Sequence, residues 1–422
     1  MAKPSILIVG GGVFGTSTAY HLSQRGYENV TVLDRFDAPS KDSAATDLNK
    51  VVRADYPNPL YAKLGMESMQ EWKDPKSIFA GMYRESGWVM AGHGLTRGWL
   101  NSAMETAKKA GREGVRFMTA GEMKTRWPAL TGEFPDWTNL WSPAAGWVPS
   151  GQALLRMANA AKLQGVKYIC GESGHAKKLV LDGNGKCEGV LAADGTLHVA
   201  DIVVLSTGAN TATLVDAKRE VVAQTSVICV MKLEPHEIER YKDMPIIDDF
   251  EQSIIFPPDE NGLIKLCSCR CLTNYRNRYL GDYPDDGCPK EVEDEMRTFV
   301  REMIPELADR PFISSKMCWD GLAGDLNFRI CPYPEIQNLF VATIGSNHGF
   351  KFLPIIGKYV ADMLEGKLGK EWQDLWAWKF GKVPDDFQDP HPWPLRDISD
   401  LSGWKGRNAA GDGKLPWIWS RL

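Results

Sequence analysis

The chain has 422 residues, of which 24% are charged, and its formal net charge is −5. This length predicts two or three domains, the mildly acidic balance argues against nucleic-acid binding, and the lack of a long apolar run argues against a membrane span. The nine cysteines are irregularly spaced, which argues against a disulfide framework and for a reducing compartment. We therefore expect a globular protein with neither a nucleic-acid nor a membrane partner.

The first predicted strand leads into a glycine-rich turn. Residues 6–9 are all apolar, as in a buried parallel strand, and Gly10, Gly12 and Gly15 follow in a G-x-G-x-x-G pattern before a predicted helix over residues 16–25. In a dinucleotide-binding turn the first glycine permits the tight bend, the second lets the backbone approach a pyrophosphate, and the third lets helix and strand pack closely. The helix N-terminus is then expected to offer its N–H groups to the phosphates.

The second predicted strand, residues 30–33, ends at Asp34. An acid at this distance from the glycine turn is placed to accept a hydrogen bond from a ribose 2′-hydroxyl, which favours FAD or NAD over NADP. The motif alone does not separate FAD from NAD.

Two cations, Lys50 and Arg53, follow a turn-rich segment. On a helix their spacing puts them on one face. From this segment alone, a solvated charge pair and an anion site beside the cofactor are equally good interpretations.

The middle of the chain alternates predicted helices and strands. Helices are predicted over residues 60–72, 97–111, 121–127 and 151–164, and strands over residues 165–169, 178–181, 187–192 and 196–199. An apolar strand then begins at residue 200 and ends at Thr207 and Gly208. A second strand that ends on glycine is expected to return beside the first phosphate turn.

Residues 263–271 form a predicted strand with three cysteines. Alternation along a strand puts four side chains on one face: Lys265, Cys267, Cys269 and Cys271. Same-face neighbours are about 7 Å apart, too far for three cysteines to bind one zinc ion, so we expect a pocket wall or a core face rather than a metal site.

The last third contains a second glycine-rich turn. Predicted elements are a helix over residues 291–303, strands over 312–319 and 338–344, and a helix over 353–365. The turn, residues 345–351, lies between the last strand and the last helix. It puts backbone N–H groups where an electron-rich group can sit.

The last three residues are Ser420, Arg421 and Leu422. They are a close variant of the Ser-Lys-Leu address that the peroxisomal import receptor reads. We therefore expect that receptor as a partner and a peroxisomal location, with a cytoplasmic location otherwise.

Four features together resemble one family. They are the first glycine turn, Thr207 with Gly208, Cys318 with Trp319, and the second glycine turn. The chain resembles the covalent-FAD amine oxidases, which include monomeric sarcosine oxidase, pipecolate oxidase and the fungal fructosyl amino acid oxidases (amadoriases). It is most similar to the fungal branch, through the segments at residues 49–51, 146–147 and 350–354.

The resemblance implies an α/β fold with two interleaved domains. A Rossmann-like FAD-binding domain of the glutathione-reductase or D-amino-acid-oxidase type is expected at residues 1–60, 145–220 and 311–370. An α+β substrate domain with an antiparallel sheet is expected at residues 61–144 and 221–310, and a C-terminal tail at 371–422. We expect a monomer.

The resemblance also assigns roles. It implies FAD rather than NAD, attached covalently through Cys318, although Cys318 considered alone would more often be a buried core thiol. Lys265 matches the family's flavin-facing lysine, which helps oxygen accept electrons. Arg53 and Lys351 match the cations with which sarcosine oxidase holds the substrate carboxylate. The residues that the resemblance places around FAD are Gly10, Gly12, Val13, Phe14, Gly15, Asp34, Arg35, Ser43, Asn49, Lys50, Ala176, Thr207, Gly208, Cys318, Gly345, Asn347, His348, Gly349, Phe350 and Lys351.

Several positions depart from the family pattern. Cys269 takes the catalytic position that is a histidine in sarcosine oxidase and a glutamate in the amadoriases. The amadoriases generally have a small residue in place of Arg53, and a second cysteine in place of Asp320. Their C-terminal substrate arginine has only the shifted candidate Arg396. The flavin residues are thus retained, whereas the sugar-recognising residues are not.

These matches predict an oxidase of a secondary amine on an N-methyl, cyclic or N-substituted α-amino acid. Molecular oxygen is the expected acceptor, and an imine and hydrogen peroxide are the expected products. Three alternatives stay open: a fructosyl amino acid oxidase, a biosynthetic oxidase whose imine cyclises, and a flavin-bearing binding or redox-sensing module without activity.

Overall fold

The computed structural model describes residues 3–94, 96–134, 137–217, 220–274, 287–384 and 396–402. The α-helices, α1 to α9, are Val13–Gln24, Pro59–Lys73, Thr96–Lys109, Ala120–Arg126, Ser150–Leu163, Pro235–Tyr241, Lys290–Met303, Ile356–Leu364 and Lys370–Leu375. The strands, β1 to β21, are Ile6–Val9, Val30–Leu33, Lys50–Val52, Trp88–Gly92, Arg116–Met118, Thr138–Ser142, Gly146–Val148, Lys167–Ile169, Ala176–Leu181, Cys187–Ala192, Leu197–Val199, Ile202–Leu205, Val222–Lys232, Ile246–Asp249, Ser253–Ile255, Leu263–Ser268, Leu272–Thr273, Phe312–Leu322, Arg329–Pro332, Leu339–Thr343 and Arg396–Asp397. Short 3₁₀ helices are Gly171–Ser173, Gly208–Thr213, Pro305–Leu307, Phe350–Phe352 and Ile398–Asp400.

One sheet is organised around β1. Its strand order within the described residues is β19-β20-β12-β1-β2-β8, and β1 pairs in parallel with both β2 and β12. Ile6 and Ile8 pack into the core on one face, while Leu7 and Val9 pack into a second core on the other. Burial on both faces explains why this strand is apolar throughout. The predicted first strand is therefore confirmed.

The glycine turn lies between β1 and α1, as predicted. The helix begins at Val13, three residues before the predicted position, so the glycine motif includes its first turn. The strand β12 runs beside β1, and Ser206 N donates to Val9 O at 2.8 Å. The expected return of a second strand to the first turn is confirmed.

A larger, mostly antiparallel sheet is built on the long strand β13. Its order within the described residues is β21-β17-β13-β16-β15-β14-β4-β6-β5, and β18 also pairs with β13. Val230 of β13 faces Lys265 of β16, and Ser226 faces Cys318 of β18, so β13 fixes the register between these two residues. The mixed α/β architecture is confirmed. The domain boundaries stay a prediction. They assign residues 311–370 to the FAD-binding domain, although β18, which lies within this range, pairs with β13 of the larger sheet.

One local prediction is wrong, and one open point is decided. The shared helix face of Lys50 and Arg53 does not occur, because Lys50–Val52 forms β3, paired with β7; its two valines favour a strand. The strand predicted to reach residue 271 ends at Ser268, after which the N–H of Cys271 donates to Cys269 O in a tight turn.

Among the described residues, no helix is both long and apolar enough to cross a membrane. The predicted peroxisomal address, Ser420, Arg421 and Leu422, lies outside the described residues.

Candidate active site

A cavity of about 1390 Å³ is lined by residues from both sheets. Pockets for one ligand usually measure about 300–1,000 Å³, so this volume leaves room for a cofactor and a substrate together. The wall runs from the turn after β1 to the turn after β20, and includes β16 and β18.

Most of the predicted site residues line this cavity. Gly15 is not part of the wall; it packs against the backbone of Gly10, where a Cβ would lie 1.8 Å from Gly10 O. Asn49 is fully buried behind the wall. Arg396 does not line the cavity either; it forms an ion pair with Glu295 at 2.8 Å. The predicted residues that line the cavity are Gly10, Gly12, Val13, Phe14, Asp34, Arg35, Ser43, Lys50, Arg53, Ala176, Thr207, Gly208, Lys265, Cys269, Cys318, Gly345, Asn347, His348, Gly349, Phe350 and Lys351.

The first glycine turn is shaped by close backbone contacts. Gly10 has a φ of +105°, and a Cβ there would lie 2.4 Å from Ser206 O at the end of β12. A side chain at this position would therefore be both strained and blocked. The turn consequently brings the N-terminus of α1 to the cavity wall, as a phosphate site requires.

Asp34 is held beside this turn. Its carboxylate accepts hydrogen bonds from Gly11 N at 2.7 Å, Ser40 Oγ at 2.7 Å and Phe36 N at 3.0 Å. A carboxylate has about four acceptor positions. It therefore keeps capacity for a further donor, as the ribose prediction requires.

Two buried polar side chains fit a ligand in this region. Ser206 Oγ lies on a residue of the cavity wall and has no hydrogen-bond partner among the described residues, and the same holds for both polar atoms of the Asn49 side chain just behind the wall. Buried polar groups without partners are rare in folded proteins. These atoms and the glycine cradle fit a bound dinucleotide.

The second glycine turn has an unusual backbone. Ile344, Ser346 and Asn347 have φ values of +68°, +45° and +63°. Such conformations are costly for residues other than glycine and concentrate at functional sites. The Asn347 N–H donates to the Asp320 carboxylate at 3.0 Å, so the electron-rich group at this turn is part of the protein itself. Burial raises the pKa of Asp320, although the N–H groups of Asn347, Gly321 and Gly345 act to lower it.

Lys265, Asp47 and Lys50 form a buried charge cluster. The Lys265 ammonium donates to the Asp47 carboxylate and to Asn49 O, the latter at 2.5 Å. Lys50 Nζ donates to the same carboxylate at 2.8 Å. One acid thus joins two lysines whose side chains are 1% and 21% exposed.

The cluster keeps Asp47 ionised. Burial alone would raise the pKa of Asp47, but Lys265 and then Lys50 hold it well below its usual range. Burial lowers the pKa of Lys265 in spite of Asp47. For Lys50, the attraction of Asp47 outweighs burial and raises the pKa.

Cys318 lies next to this cluster. Its Sγ atom is 3.7 Å from Lys50 Nζ and 3.3 Å from Ala44 O, and the residue is 8% exposed. The Lys50 ammonium and the Cys318 sulfur are therefore neighbours at the cavity wall. The three cysteines at 267, 269 and 271 also line the cavity, which confirms the expected pocket wall. Within the described residues, no group of three or more potential ligands is arranged to hold a metal ion.

Arg53 lies in an aromatic cage. Its guanidinium carbon is 4.6 Å from the Tyr56 ring centroid, 4.7 Å from that of Trp88 and 5.6 Å from that of Trp99. The guanidinium also donates to Asp55 O. Cation–π contacts of this kind hold an arginine in place while excluding water from it.

Lys351 approaches the same tyrosine. Its Nζ atom is 5.5 Å from the Tyr56 ring centroid and donates to His348 O at 2.8 Å. Burial, and then the Arg53 charge, lower the pKa of Lys351 well below its usual value. His348 holds the Tyr56 ring in place. Because a carbonyl oxygen can only accept, His348 Nε2 donates to Leu326 O at 2.8 Å, and His348 Nδ1 then accepts from the Tyr56 hydroxyl at 3.1 Å.

Cys269 faces an acid that the sequence did not indicate. Its Sγ atom lies 3.9 Å from Asp248 Oδ1 on β14, and Asp248 also lines the cavity. Burial, and then the Asp248 charge, raise the pKa of Cys269 well above its usual value. Cys269 therefore stays a neutral thiol and is unsuited to act as a base.

Sequence reasoning missed Asp47, Tyr56, Trp88 and Asp248. Asp47 carried a weak signal, because it lies three residues before Lys50. The other three carried none, since their partners come from distant strands and turns.

Three comparisons with known proteins agree. The family described as FAD dependent oxidoreductase (DAO) matches residues 5–363. L-saccharopine oxidase of Schizosaccharomyces pombe is 33% identical over 412 residues, covering 89% of this chain and 93% of that protein. Monomeric sarcosine oxidase of a Bacillus species is 24% identical, with 86% and 92% covered.

Solved structures give the same result. Fructosamine oxidase (Amadoriase II) of Aspergillus fumigatus superposes with a TM-score of 0.85 at 29% identity, covering 95% of this chain and 97% of that one. A modified fructosyl peptide oxidase of Aspergillus nidulans reaches 0.87 at 30% identity, with 96% and 100% covered. The prediction of FAD over NAD is thereby confirmed. The chain belongs to the family of FAD-dependent oxidoreductases.

Proposed function

We propose that this protein oxidises the C–N bond of a secondary amine on an α-amino acid, with FAD as cofactor and oxygen as acceptor, to give an imine and hydrogen peroxide. One observation carries the proposal: Arg53 and Lys351 both approach the Tyr56 ring in the cavity that the glycine turns and Lys265 also line. The substrate in this proposal therefore carries a carboxylate. L-saccharopine oxidase and the sarcosine oxidases, whose names refer to N-substituted amino acids, support this class.

Arg53 and Lys351 hold the substrate carboxylate in this proposal. An arginine can bind a carboxylate through two parallel hydrogen bonds, and a lysine adds a point charge. Each charge-assisted bond contributes about 1.5–3 kcal/mol. The cage of Tyr56, Trp88 and Trp99 fixes the fork in one direction, so the carbon and nitrogen next to the carboxylate are placed reproducibly.

When bound, FAD would supply the redox chemistry: it can accept a hydride equivalent from the carbon next to the nitrogen and pass the electrons to oxygen. The glycine turn at Gly10 and Gly12 and the acid Asp34 bind its dinucleotide part. Cys318 attaches it covalently, and Lys50 Nζ lies 3.7 Å from its sulfur. Lys265 stabilises the negative charge that develops as oxygen is reduced.

Fructosyl amino acids are the second candidate substrates, because both solved structures named above are fructosyl-type oxidases. Cys269 stands in place of the amadoriase glutamate, which weakens the case for a fructosyl sugar. An imine that cyclises instead of being hydrolysed would change the product and not the oxidation. We further propose a peroxisomal location, which the C-terminal Ser-Arg-Leu supports, and a monomeric state.

An oxygen-uptake screen tests the proposal. The substrates are sarcosine, pipecolate, saccharopine, N-methyl aromatic amino acids and fructosyl amino acids, each compared with its carboxamide where one exists. N-substituted or cyclic α-amino acids are expected to react fastest, and product mass separates hydrolysis from cyclisation.

Arg53→Ala gives the matched variant. It should raise KM for carboxylate substrates at least tenfold and leave the carboxamides little changed, while Arg53→Lys, which keeps the charge but loses the fork, should fall between. Fastest turnover of fructosyl amino acids, or an unchanged KM in Arg53→Ala, would contradict the proposal.

A further inference from the structure

We propose that Asp248 binds the cationic amine of the substrate and accepts its proton. This inference rests on the proposed function and adds a third charged group to it. Arg53 and Lys351 recognise the carboxylate of an amino acid, while Asp248 recognises the secondary ammonium group one carbon away. The enzyme thus selects zwitterionic secondary amino acids over anions that lack the amine.

The position of Asp248 carries this inference. It lies on β14, is 3% exposed and lines the cavity. Its Oδ2 atom accepts from Trp88 Nε1 at 3.1 Å, and the Trp88 ring is the same one that supports the Arg53 guanidinium at 4.7 Å. The acid and the carboxylate-binding cation therefore contact the same indole, and both line the cavity.

The charges in this half of the cavity match a zwitterion. Arg53 and Lys351 alone would favour any small anion, and burial makes their charge costly. The Asp248 carboxylate opposes the lowering of the Lys351 pKa, so the two groups are electrostatic neighbours. A bound amino acid places its carboxylate on the cations and its ammonium on Asp248, so both of its charges meet groups of opposite sign in a site of low dielectric.

The acid also resolves the departure at position 269. Cys269 is a neutral thiol, yet the amine must lose its proton before its lone pair can assist oxidation of the neighbouring C–H bond. The proton passes from the ammonium nitrogen to an Asp248 oxygen; the N–H bond breaks, the O–H bond forms, and no electrons leave the pair of groups. In this proposal the carboxyl group of Asp248, which lies on β14 and within 3.9 Å of the Cys269 sulfur, supplies what that position lacks.

Binding of paired ligands to the FAD-loaded protein tests the inference. The pairs are sarcosine with (methylthio)acetate, and pipecolate with tetrahydrothiopyran-2-carboxylate; in each pair, sulfur replaces the amine. Dissociation constants come from anaerobic flavin difference absorbance for the thioethers and from the concentration dependence of anaerobic flavin reduction for the amines. Asp248→Asn retains an oxygen for Trp88 and should raise the constants of the amines at least tenfold, while changing those of the thioethers less than threefold.

Asp249→Asn is the matched control. Asp249 is the neighbouring buried acid, but it hydrogen-bonds to the Glu251 N–H and to Gln252 and does not line the cavity. This variant should leave the amine-to-thioether ratio unchanged. If Asp248→Asn weakens both members of a pair equally, or neither, the inference is wrong. If wild-type protein binds none of the four ligands, or if Arg53→Ala leaves the thioether acids unaffected, the proposed function itself fails.

Discussion

Replacing Lys265 by methionine isolates the role of the buried charge cluster. Methionine keeps most of the length and packing of the lysine but removes its charge. A unit charge about 4 Å from a developing anion contributes about 4 kcal/mol at an effective dielectric constant of about 20. Loss of that contribution corresponds to about a thousandfold in rate. We expect the reaction of the reduced enzyme with oxygen to slow by this factor, and anaerobic reduction by substrate to change little.

The structure supplies a control in the same cluster. Lys50 pairs with the same Asp47 carboxylate, but it lies 3.7 Å from Cys318 Sγ and is more exposed than Lys265. Lys50→Met should therefore lower the fraction of covalently bound FAD while retaining most of the oxygen reactivity. Stopped-flow absorbance separates the two half-reactions, and the mass of denatured protein gives the covalent fraction.

The stability cost of Lys265→Met must be separated from its effect on rate. Stranding a buried charge costs about 3–5 kcal/mol, but Asp47 keeps Lys50 as a partner at 2.8 Å, so we expect a smaller loss. The double variant with Asp47→Asn removes the carboxylate that pairs with Lys50 and should therefore lose further stability. Equal slowing of both half-reactions in Lys265→Met would move this lysine to substrate binding, and an equal oxygen defect in Lys50→Met would assign the effect to the cluster as a whole.

Three further predictions concern attachment, protonation and location. Acid-precipitated wild-type protein should stay yellow and carry the mass of FAD, and Cys318→Ser should release the colour; a colourless wild-type pellet would refute the attachment. Because burial and Arg53 lower the Lys351 pKa, this lysine loses its charge below the usual lysine range as pH rises, so the dissociation constant of a carboxylate inhibitor should increase there, and not in Lys351→Met. A fluorescent protein that carries the last twelve residues should enter peroxisomes, and removal of Ser420, Arg421 and Leu422 should leave it in the cytosol.

The parts of the site that follow from the sequence are those whose chemistry depends on local spacing. Gly10, Gly12 and Asp34 could be predicted because a phosphate turn and a ribose acid must lie at fixed distances along one strand-turn-helix-strand unit. Lys265 and Cys318 came from a resemblance, since a lone lysine or cysteine on a strand is more often structural. Their register through β13 required the fold.

The parts that did not follow are contacts between distant segments. Lys265 and Asp47 are 218 residues apart, and the sequence around neither residue indicates the other as its partner. The spacing of Lys50 and Arg53 did not indicate their local structure, which the pairing of β3 with β7 decides. Strand pairing is set by tertiary packing more than by local preference, so such contacts are the least predictable.

Position 269 shows how a comparison confined to one residue can mislead. Considered alone, Cys269 in place of a histidine or glutamate suggests that the site has lost an ionisable group. In the folded protein, what matters is whether an ionisable group lies near the substrate nitrogen, and any strand that borders the cavity can supply such a group. Asp248 reaches the sulfur of Cys269 from β14, and the same acid is bound to the tryptophan that supports Arg53. The apparent loss at one position is therefore compatible with a charge supplied by another strand of the same sheet, and the paired-ligand binding experiment distinguishes these two interpretations.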